Sequence, residues 1–176
     1  MLIGRFFGPN LPRMARVLDF PNPVNETSAR IVATGVVVMG VLYGATGWGW
    51  VLIPLTYGFI ARVLTGPFLS PLGRLATQVI TPRLSFEHRF CPGPPKRFAQ
   101  GIGAALTITA SVLFLLGADG ASRVVIAMLV VGAGLEAFVG FCLGCWIFGK
   151  LMRTGIIPES VCEACNDISR RAPAAR

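Results

Sequence analysis

Four of the five cysteines form two Cys-x-x-Cys pairs, and thiols at this spacing can do chemistry. The first pair is Cys142 and Cys145, and the second pair is Cys162 and Cys165. Helical residues three apart are separated by about 60 degrees around the helix and nearly one turn along it, so the two thiols of a pair can meet. The spacing therefore predicts two dithiol units.

Two chemistries suit four thiols arranged in this way. One is disulfide or persulfide exchange, in which a Cys-x-x-Cys at a helix end lowers the pKa of one thiol and supplies a second thiol that resolves the intermediate. The other is a zinc site in which all four cysteines are ligands. A third interpretation is that Cys142 and Cys145 are small packing residues. Cys91 has no partner in sequence, and we interpret it as incidental.

Glu136 is the only acidic residue well inside an apolar run. A carboxyl group in a membrane is costly, so it is a candidate for function. The alternative is a protonated carboxyl that hydrogen-bonds to a hydroxyl such as that of Thr107 or Thr109. Glu136 lies in a stripe of small residues with Gly132, Gly140 and Gly144. Because Cys142 and Cys145 are rotated from Glu136 by roughly a third to a half of a helical turn, we expect this glycine stripe and the thiols to contact different partners.

Lys96 and Arg97 come where the third apolar run begins. The unpaired N–H groups and the positive dipole end of a helix start favour an anion there. These residues are therefore a candidate anion-binding site. The alternative is that they only set the topology by attracting lipid phosphates.

Membrane helices are expected to carry these residues. Hydrophobic residues make up 53% of the 176 residues, charged residues only 14%, and the mean hydropathy is +0.67. Long uncharged runs in such a chain are typical of spanning helices. We predict an all-α membrane protein with four transmembrane helices, at 27–45, 48–65, 98–118 and 124–149.

The first two helices share one uncharged run from Ile31 to Ala61. Its 31 residues exceed the length of about 20 that one span needs. The glycines and tryptophans of Gly44–Trp50 favour a turn in the middle of this run. We expect Arg30 and Arg62 to extend toward the membrane surface at the helix ends.

Three further helices are expected outside the spans. Residues 10–18 and Ser70–Thr81 have the pattern of interfacial helices. A chain reversal between Gly155 and Pro158 is expected to fold a C-terminal helix back on the fourth span. This reversal would bring Cys165 to the level of Phe148.

The basic residues predict the orientation. The sixteen lysines and arginines lie outside the apolar runs. Three of them precede Arg30, six lie from Arg62 to Arg97, and five lie from Lys150 onward; the other two are Arg30 and Arg123. The positive-inside rule then places both termini and loop 66–97 in the cytoplasm. We expect a multi-pass protein of the inner (plasma) membrane without a cleaved leader. A homo-oligomer is compatible with this sequence.

The chain accordingly divides into three parts. They are a cytoplasmic N-terminal segment at 1–29, a four-helix membrane domain at 30–155, and a cytoplasmic Cys-x-x-Cys helix with a tail at 156–176.

Other function classes are disfavoured. His88 is the only histidine, and no Walker, Rossmann or serine-nucleophile pattern is present, which argues against a hydrolase. The net charge is +8, but the basic residues lie in the segments between apolar runs, where charge sets membrane orientation. Nucleic-acid binding is therefore not expected. Whether the chain is an enzyme stays open.

The chain resembles a family of small bacterial multi-pass membrane proteins known only as a domain of unknown function. The resemblance covers about Asn25 to Ile168. It is carried by four motifs: Pro71-Leu-Gly-Arg-Leu-Ala-Thr77, Pro92-Gly-Pro-Pro-Lys-Arg-Phe-Ala-Gln100, Phe141-Cys-Leu-Gly-Cys145 and Ile157-Pro-Glu-Ser-Val-Cys-Glu-Ala-Cys165. It implies an association with thioredoxin-like or sulfurtransferase-like proteins, and so with redox chemistry or sulfur metabolism.

The leading functional hypothesis is a membrane-embedded thiol protein. It would exchange disulfide or persulfide with a soluble cytoplasmic partner, using Cys142 and Cys145 as the inner pair and Cys162 and Cys165 as the outer pair. The alternative is a membrane scaffold without enzymatic activity, in which the same four cysteines hold one structural zinc ion.

Overall fold

The structure is a computed structural model that describes residues 20, 22–83, 90–162 and 165. The described residues form six α-helices: α1 (Glu26–Thr46), α2 (Leu52–Thr65), α3 (Pro71–Arg74), α4 (Gly93–Leu115), α5 (Asp119–Gly134) and α6 (Leu143–Arg153). Two short antiparallel strands, β1 (Val24–Asn25) and β2 (Phe90–Cys91), pair with each other. The predicted helix at 10–18 lies outside the described residues.

Several helices continue as other helical turns. A π-helical turn, Leu75–Ile80, follows α3, and another, Leu135–Val139, follows α5. Turns of 3-10 helix occur at Gly49–Val51, Thr81–Arg83 and Glu159–Val161.

Three helices among the described residues are long and apolar enough to cross a membrane. They are α1, α4, and α5 together with its π-helical turn, and α2 with the preceding 3-10 turn is a shorter apolar helix. Large apolar side chains point outward, since Ile53 is 71% exposed and Leu115 is 81% exposed. Extensive outward apolar surface favours lipid contact. The structure is thus helical with membrane-compatible surfaces, as predicted.

The turn predicted between the first two helices is present. Asn25 caps the start of α1 by accepting hydrogen bonds from the backbone N–H groups of Thr27 and Ser28. Gly47 ends α1 in the left-handed conformation, with a φ of 70°. Glycine adopts this conformation without steric cost, which lets the chain reverse before Trp48.

The four longer helices pack as an antiparallel bundle. Helix α2 packs on α4, α4 on α5, and α5 on α1. The Tyr43 hydroxyl lies 2.7 Å from the Ser122 hydroxyl, which donates to the Ala110 carbonyl, and this network ties α1, α5 and α4 together. Because neighbouring helices run antiparallel, the opposite end of the bundle contains the start of α1, the end of α2, the start of α4 and the end of α5.

The predicted interfacial helix at Ser70–Thr81 corresponds to α3 and its π-helical turn. Ser70 caps the start by accepting from the Gly73 N–H, and Pro71 occupies the first helical position. The Thr81 hydroxyl lies 2.8 Å from the Ser28 hydroxyl of α1, so the segment is fixed against the bundle.

The prediction of a single helix over 124–149 is wrong. The helix ends at Val139, Gly140 adopts a φ of 73°, and α6 begins as a separate helix at Leu143. The physical reason is the left-handed glycine, which redirects the chain at a point where apolar composition alone favours continuation.

The predicted C-terminal helix folded back on the fourth span is not confirmed. The described part of this segment is the 3-10 turn Glu159–Val161, followed by Cys162 and Cys165. Cys162 is 4% exposed and packs with Phe148 and Met152 of α6, and Cys165 packs against the same cluster. The second cysteine pair therefore lies beside α6.

Candidate functional site

Cys142 and Cys145 lie at the N-terminus of α6. Cys142 is the N-cap residue, with an extended φ of −87°, and its sulfur accepts a hydrogen bond from the Cys145 backbone N–H at 3.4 Å. A helix N-terminus presents unpaired N–H groups and a positive dipole end, and both favour a thiolate. The end of α5 at Gly140 produces this arrangement, because a continuous helix would have no N-terminus here.

The two thiols of this pair differ in acidity. The side-chain hydrogen bond from Cys145 lowers the pKa of Cys142, and the positive charge of Lys96 acts in the same direction. The same hydrogen bond, together with burial, raises the pKa of Cys145. Cys142 is therefore the more acidic thiol of the pair.

Glu136 lies in the π-helical turn that ends α5 and forms an ion pair with Lys96 in the first turn of α4. The Lys96 side chain is 7% exposed and that of Glu136 is 15% exposed. The hydroxyl partner expected for Glu136 is not found at Thr107, which donates instead to the backbone carbonyls of Gly103 and Ala104.

The side chains of Lys96 and Arg97, predicted as one anion-binding site, have different partners. Lys96 points inward to Glu136, whereas Arg97 is exposed and donates from Nε to the Val63 carbonyl at 3.0 Å. The charge of Lys96 also acts on Cys142 and Cys145. Lys96 therefore lies with the thiols of Cys142 and Cys145, whereas Arg97 joins α4 to α2.

Arg30 fixes the end of α5. Its guanidinium donates to the carbonyls of Ala137 and Phe138 at 3.1 and 3.3 Å. A cation that binds the last carbonyls of a helix stabilises that end. Arg30 was expected to extend toward the membrane surface; it is exposed in the structure, and it also holds the turn that carries Glu136.

A cavity of about 120 Å³ lies at this end of the bundle, between α1, α2, α4, α5 and α6. Glu136 and Cys142 both line it, so the structure brings the carboxyl and the first thiol to one cavity. The rotation that separates them on one ideal helix does not apply, because Gly140 ends the helix between them.

Two further residues of this cavity, Arg62 and Gln100, were not predicted to belong to a site. The expectation that Arg62 extends toward the membrane surface is wrong, because its side chain turns into the bundle. Arg62 is only 6% exposed; its Nε donates to Gln100 Oε1 at 2.8 Å and its Nη1 to Ser70 Oγ at 3.2 Å. Its guanidinium carbon also lies 4.4 Å from the centre of the Phe59 ring. One signal was available: Gln100 follows Lys96 by four residues and so shares its helical face.

The second pair is in a different chemical state. Cys162 and Cys165 form a disulfide with a Cα–Cα distance of 5.3 Å, whereas Cys142 and Cys145 are free thiols. Within the described ranges, no group of three or more histidine, cysteine, aspartate or glutamate residues could hold a metal ion. The four-cysteine zinc site thus gains no support from this arrangement.

Cys91 is a structural thiol. It lies on β2, and its sulfur donates to the Val24 carbonyl at 3.4 Å. Burial raises the pKa of this thiol to about 11, which leaves it protonated and unreactive at neutral pH. This agrees with the interpretation of Cys91 as incidental to the chemistry.

Comparison with known proteins identifies a family and no characterised relative. No curated protein and no solved structure matches the chain. The model of one family, described as a domain of unknown function (DUF4395), matches residues 24–153, which include the bundle, the cavity, Cys142 and Cys145. The chain therefore belongs to the DUF4395 family.

Proposed function

We propose that this chain is a bacterial inner-membrane protein that exchanges disulfide or persulfide with a thioredoxin-like or sulfurtransferase-like protein in the cytoplasm. The observation that carries the proposal is the geometry of the first thiol pair. Cys142 caps α6, accepts a hydrogen bond from the Cys145 N–H, and has a lowered pKa. These are the features that activate a Cys-x-x-Cys for exchange.

The proposed topology has four spans. Three spans would be α1, α4 and α5 with its π-helical turn. The remaining span, second in chain order, would be the shorter apolar helix Gly49–Thr65, which includes α2 and its preceding 3-10 turn. The local bilayer thins, or the tryptophans at its start anchor in the interface, to accommodate its shorter length. An even number of spans leaves both termini on the same side, and the basic residues favour the cytoplasm. The cavity and α6 then face the cytoplasm.

Disulfide exchange would proceed in two steps. The Cys142 thiolate attacks one sulfur of the partner's disulfide, so a mixed disulfide forms and the partner's other sulfur leaves as a thiolate. Cys145 then gives its proton to that thiolate and attacks the sulfur of Cys142, which breaks the bond between Cys142 and the partner, and the partner's bonded sulfur leaves as a thiolate. The products are a Cys142–Cys145 disulfide and a reduced partner, after transfer of two electrons.

Persulfide transfer would need only the first thiol. The Cys142 thiolate attacks the terminal sulfur of the partner's persulfide, the sulfur–sulfur bond of the partner breaks, and the partner leaves as a thiolate. Lys96 would stabilise the thiolate of Cys142 before the attack. The disulfide of Cys162 and Cys165, packed on the same helix α6, is a second exchange unit for the same partner.

Trapping the mixed disulfide tests this proposal. The reduced full-length protein in lipid nanodiscs is treated with oxidised glutathione, and each cysteine is assigned by peptide mass. The parent should form a Cys142–Cys145 disulfide, whereas Cys145→Ser should accumulate glutathione on Cys142. Cys142→Ser should accumulate little adduct on Cys145, and Cys91→Ser should behave as the parent. Equal, slow modification of Cys142 and Cys145 without an internal disulfide would refute the exchange function.

Metal analysis of the same preparation separates the scaffold alternative. About one zinc per chain, lost in each of the four Cys-to-Ser variants, would favour the scaffold over exchange.

A further inference from the structure

The cavity beside Cys142 has the properties of a small-ligand site. Its volume of about 120 Å³ is several times the share of one water molecule in the liquid, which is about 30 Å³. Four of its twenty lining residues are polar or ionisable, namely Arg62, Gln100, Glu136 and Cys142. A mostly apolar pocket with a few convergent polar groups is the usual form of a ligand site.

The charges around this cavity do not balance. Glu136 is paired with Lys96, and this is the only ion pair among the described residues. Arg62 makes no ion pair with a described carboxylate, although its side chain is almost fully buried. Glu136 acts electrostatically on Arg62 as well as on Lys96, so one carboxylate serves two cations. A buried cation without a counter-ion is costly, so an anion bound next to it would offset that cost.

The guanidinium of Arg62 still has donors to offer. Its hydrogen bonds to described residues use Nε and Nη1, which leaves Nη2 for a ligand. Gln100 Oε1 accepts from Nε, and this bond fixes the plane of the guanidinium. A planar, held guanidinium is well suited to a carboxylate or similar oxyanion.

The two cations of this region have separate roles. Lys96 is the cation whose charge acts on Cys142 and Cys145, and its own partner is Glu136. Lys96 and Arg62 share the single carboxylate of Glu136, which leaves a net positive charge for a ligand. Because Arg62 and Cys142 line the same cavity, an anion held by Arg62 has its other atoms within the same space as the sulfur.

We propose that this cavity binds a small monoanion, with its charged group at Arg62 and the rest of the molecule toward Cys142. The ligand class is a carboxylate or comparable oxyanion of a few non-hydrogen atoms, which matches a volume of about 120 Å³. This inference concerns binding and does not depend on the proposed exchange.

A matched pair of alkylating reagents tests the site. Iodoacetate is a small monoanion, and iodoacetamide is its neutral analogue of nearly equal size. With either reagent the Cys142 thiolate forms a sulfur–carbon bond and iodide leaves. Rates are measured at Cys142 by peptide mass on the full chain in phosphatidylcholine nanodiscs, and each is divided by the rate with free glutathione.

If the cavity binds a small anion, three results are expected with the parent protein. The normalised rate with iodoacetate should exceed that with iodoacetamide by about tenfold, the gain from one charge-assisted hydrogen bond. The rate should saturate as iodoacetate increases. Sodium acetate should slow the iodoacetate reaction competitively, whereas sodium chloride at the same ionic strength should not. A rate that stays linear in iodoacetate and insensitive to acetate would overturn the proposal without any variant.

Variants assign the site to Arg62. Arg62→Gln should abolish the preference for iodoacetate and leave the iodoacetamide rate within about twofold. Arg97→Gln is the control, because Arg97 is an exposed cation at the same end of the bundle that does not line the cavity. If Arg62→Gln keeps saturation and preference, the site is not at Arg62; if it does not fold, Arg62→Lys, which retains the charge, should keep a reduced preference.

Discussion

Lys96 and Glu136 form a buried ion pair between the first turn of α4 and the π-helical turn that ends α5. The pair lies next to the thiols of Cys142 and Cys145, on which the charge of Lys96 acts. The ion pair has two consequences: the ends of two helices are joined, and the Cys142 thiol is kept near a cation.

Removing one member of this pair should destabilise the protein strongly. Glu136→Gln leaves the buried ammonium of Lys96 without its counter-charge, and the free energy of unfolding should fall by about 3 kcal/mol. Adding Lys96→Met should restore most of this loss, because neither charge then remains. Denaturation of the purified protein in detergent measures both effects. If Glu136→Gln proves as stable as the parent, the pair has no structural role.

The alkylation rate of Cys142 should depend on pH with an inflection below the ordinary thiol value of about 8.5. The sign follows from its lowered pKa: the reactive thiolate is already present at lower pH, so the rate at pH 7 exceeds that of a free thiol. Lys96→Met should move the inflection upward, since it removes a charge that favours the thiolate. The rate is followed with iodoacetamide and peptide mass.

Cys91 provides an internal control for this pH profile. Burial raises its pKa to about 11, so its alkylation should begin only in strongly alkaline solution. Identical profiles for Cys91 and Cys142 would contradict the assignment of Cys142 as the activated thiol.

Gly144→Ala should displace α6 and reduce the reactivity of Cys142. A Cβ at Gly144 would lie 2.6 Å from the Cα of Ala99 on α4, and a backbone atom cannot move aside cheaply. We expect a loss of about 1–3 kcal/mol in stability and a slower alkylation of Cys142 at pH 7. Gly149→Ala is the matched control, because a Cβ there meets no atom within 4 Å. It should be neutral or stabilise α6 by up to about 1 kcal/mol. Equal effects of the two changes would mean that α6 is not held closely against α4.

Labelling should place the α4–α5 turn outside the cell. Gly120 is exposed and has open space around it, so Gly120→Cys should be tolerated and should react with a membrane-impermeant maleimide in intact cells. Gly149→Cys, on α6, should react only after the membrane is permeabilised. Peptide mass distinguishes the added cysteines from the native ones. Reaction of Gly149→Cys and not Gly120→Cys in intact cells would invert the proposed orientation.

Local signals in the sequence predicted the helices and the thiol pair. The apolar run from Ile31 to Ala61 and the glycines near Trp48 predicted a break that Gly47 confirms, because chain reversal there depends on local conformational preference. The spacing of Cys142 and Cys145 predicted that the two would interact, since one helical turn fixes their separation.

Long-range packing decided the rest of the site. Glu136 pairs with Lys96, forty residues away in sequence, and Arg62 turns inward to Gln100, thirty-eight residues away. Composition shows that such charges are costly in an apolar setting, but it does not choose their partners. That choice depends on which helix ends meet, and the antiparallel packing of the bundle alone brings these ends together. Gly140 determines the position of the first thiol. Its left-handed conformation ends the helical segment of α5 within a run of apolar residues, and a new helix, α6, begins at Leu143. Cys142 is therefore the N-cap residue of α6 and lines the cavity.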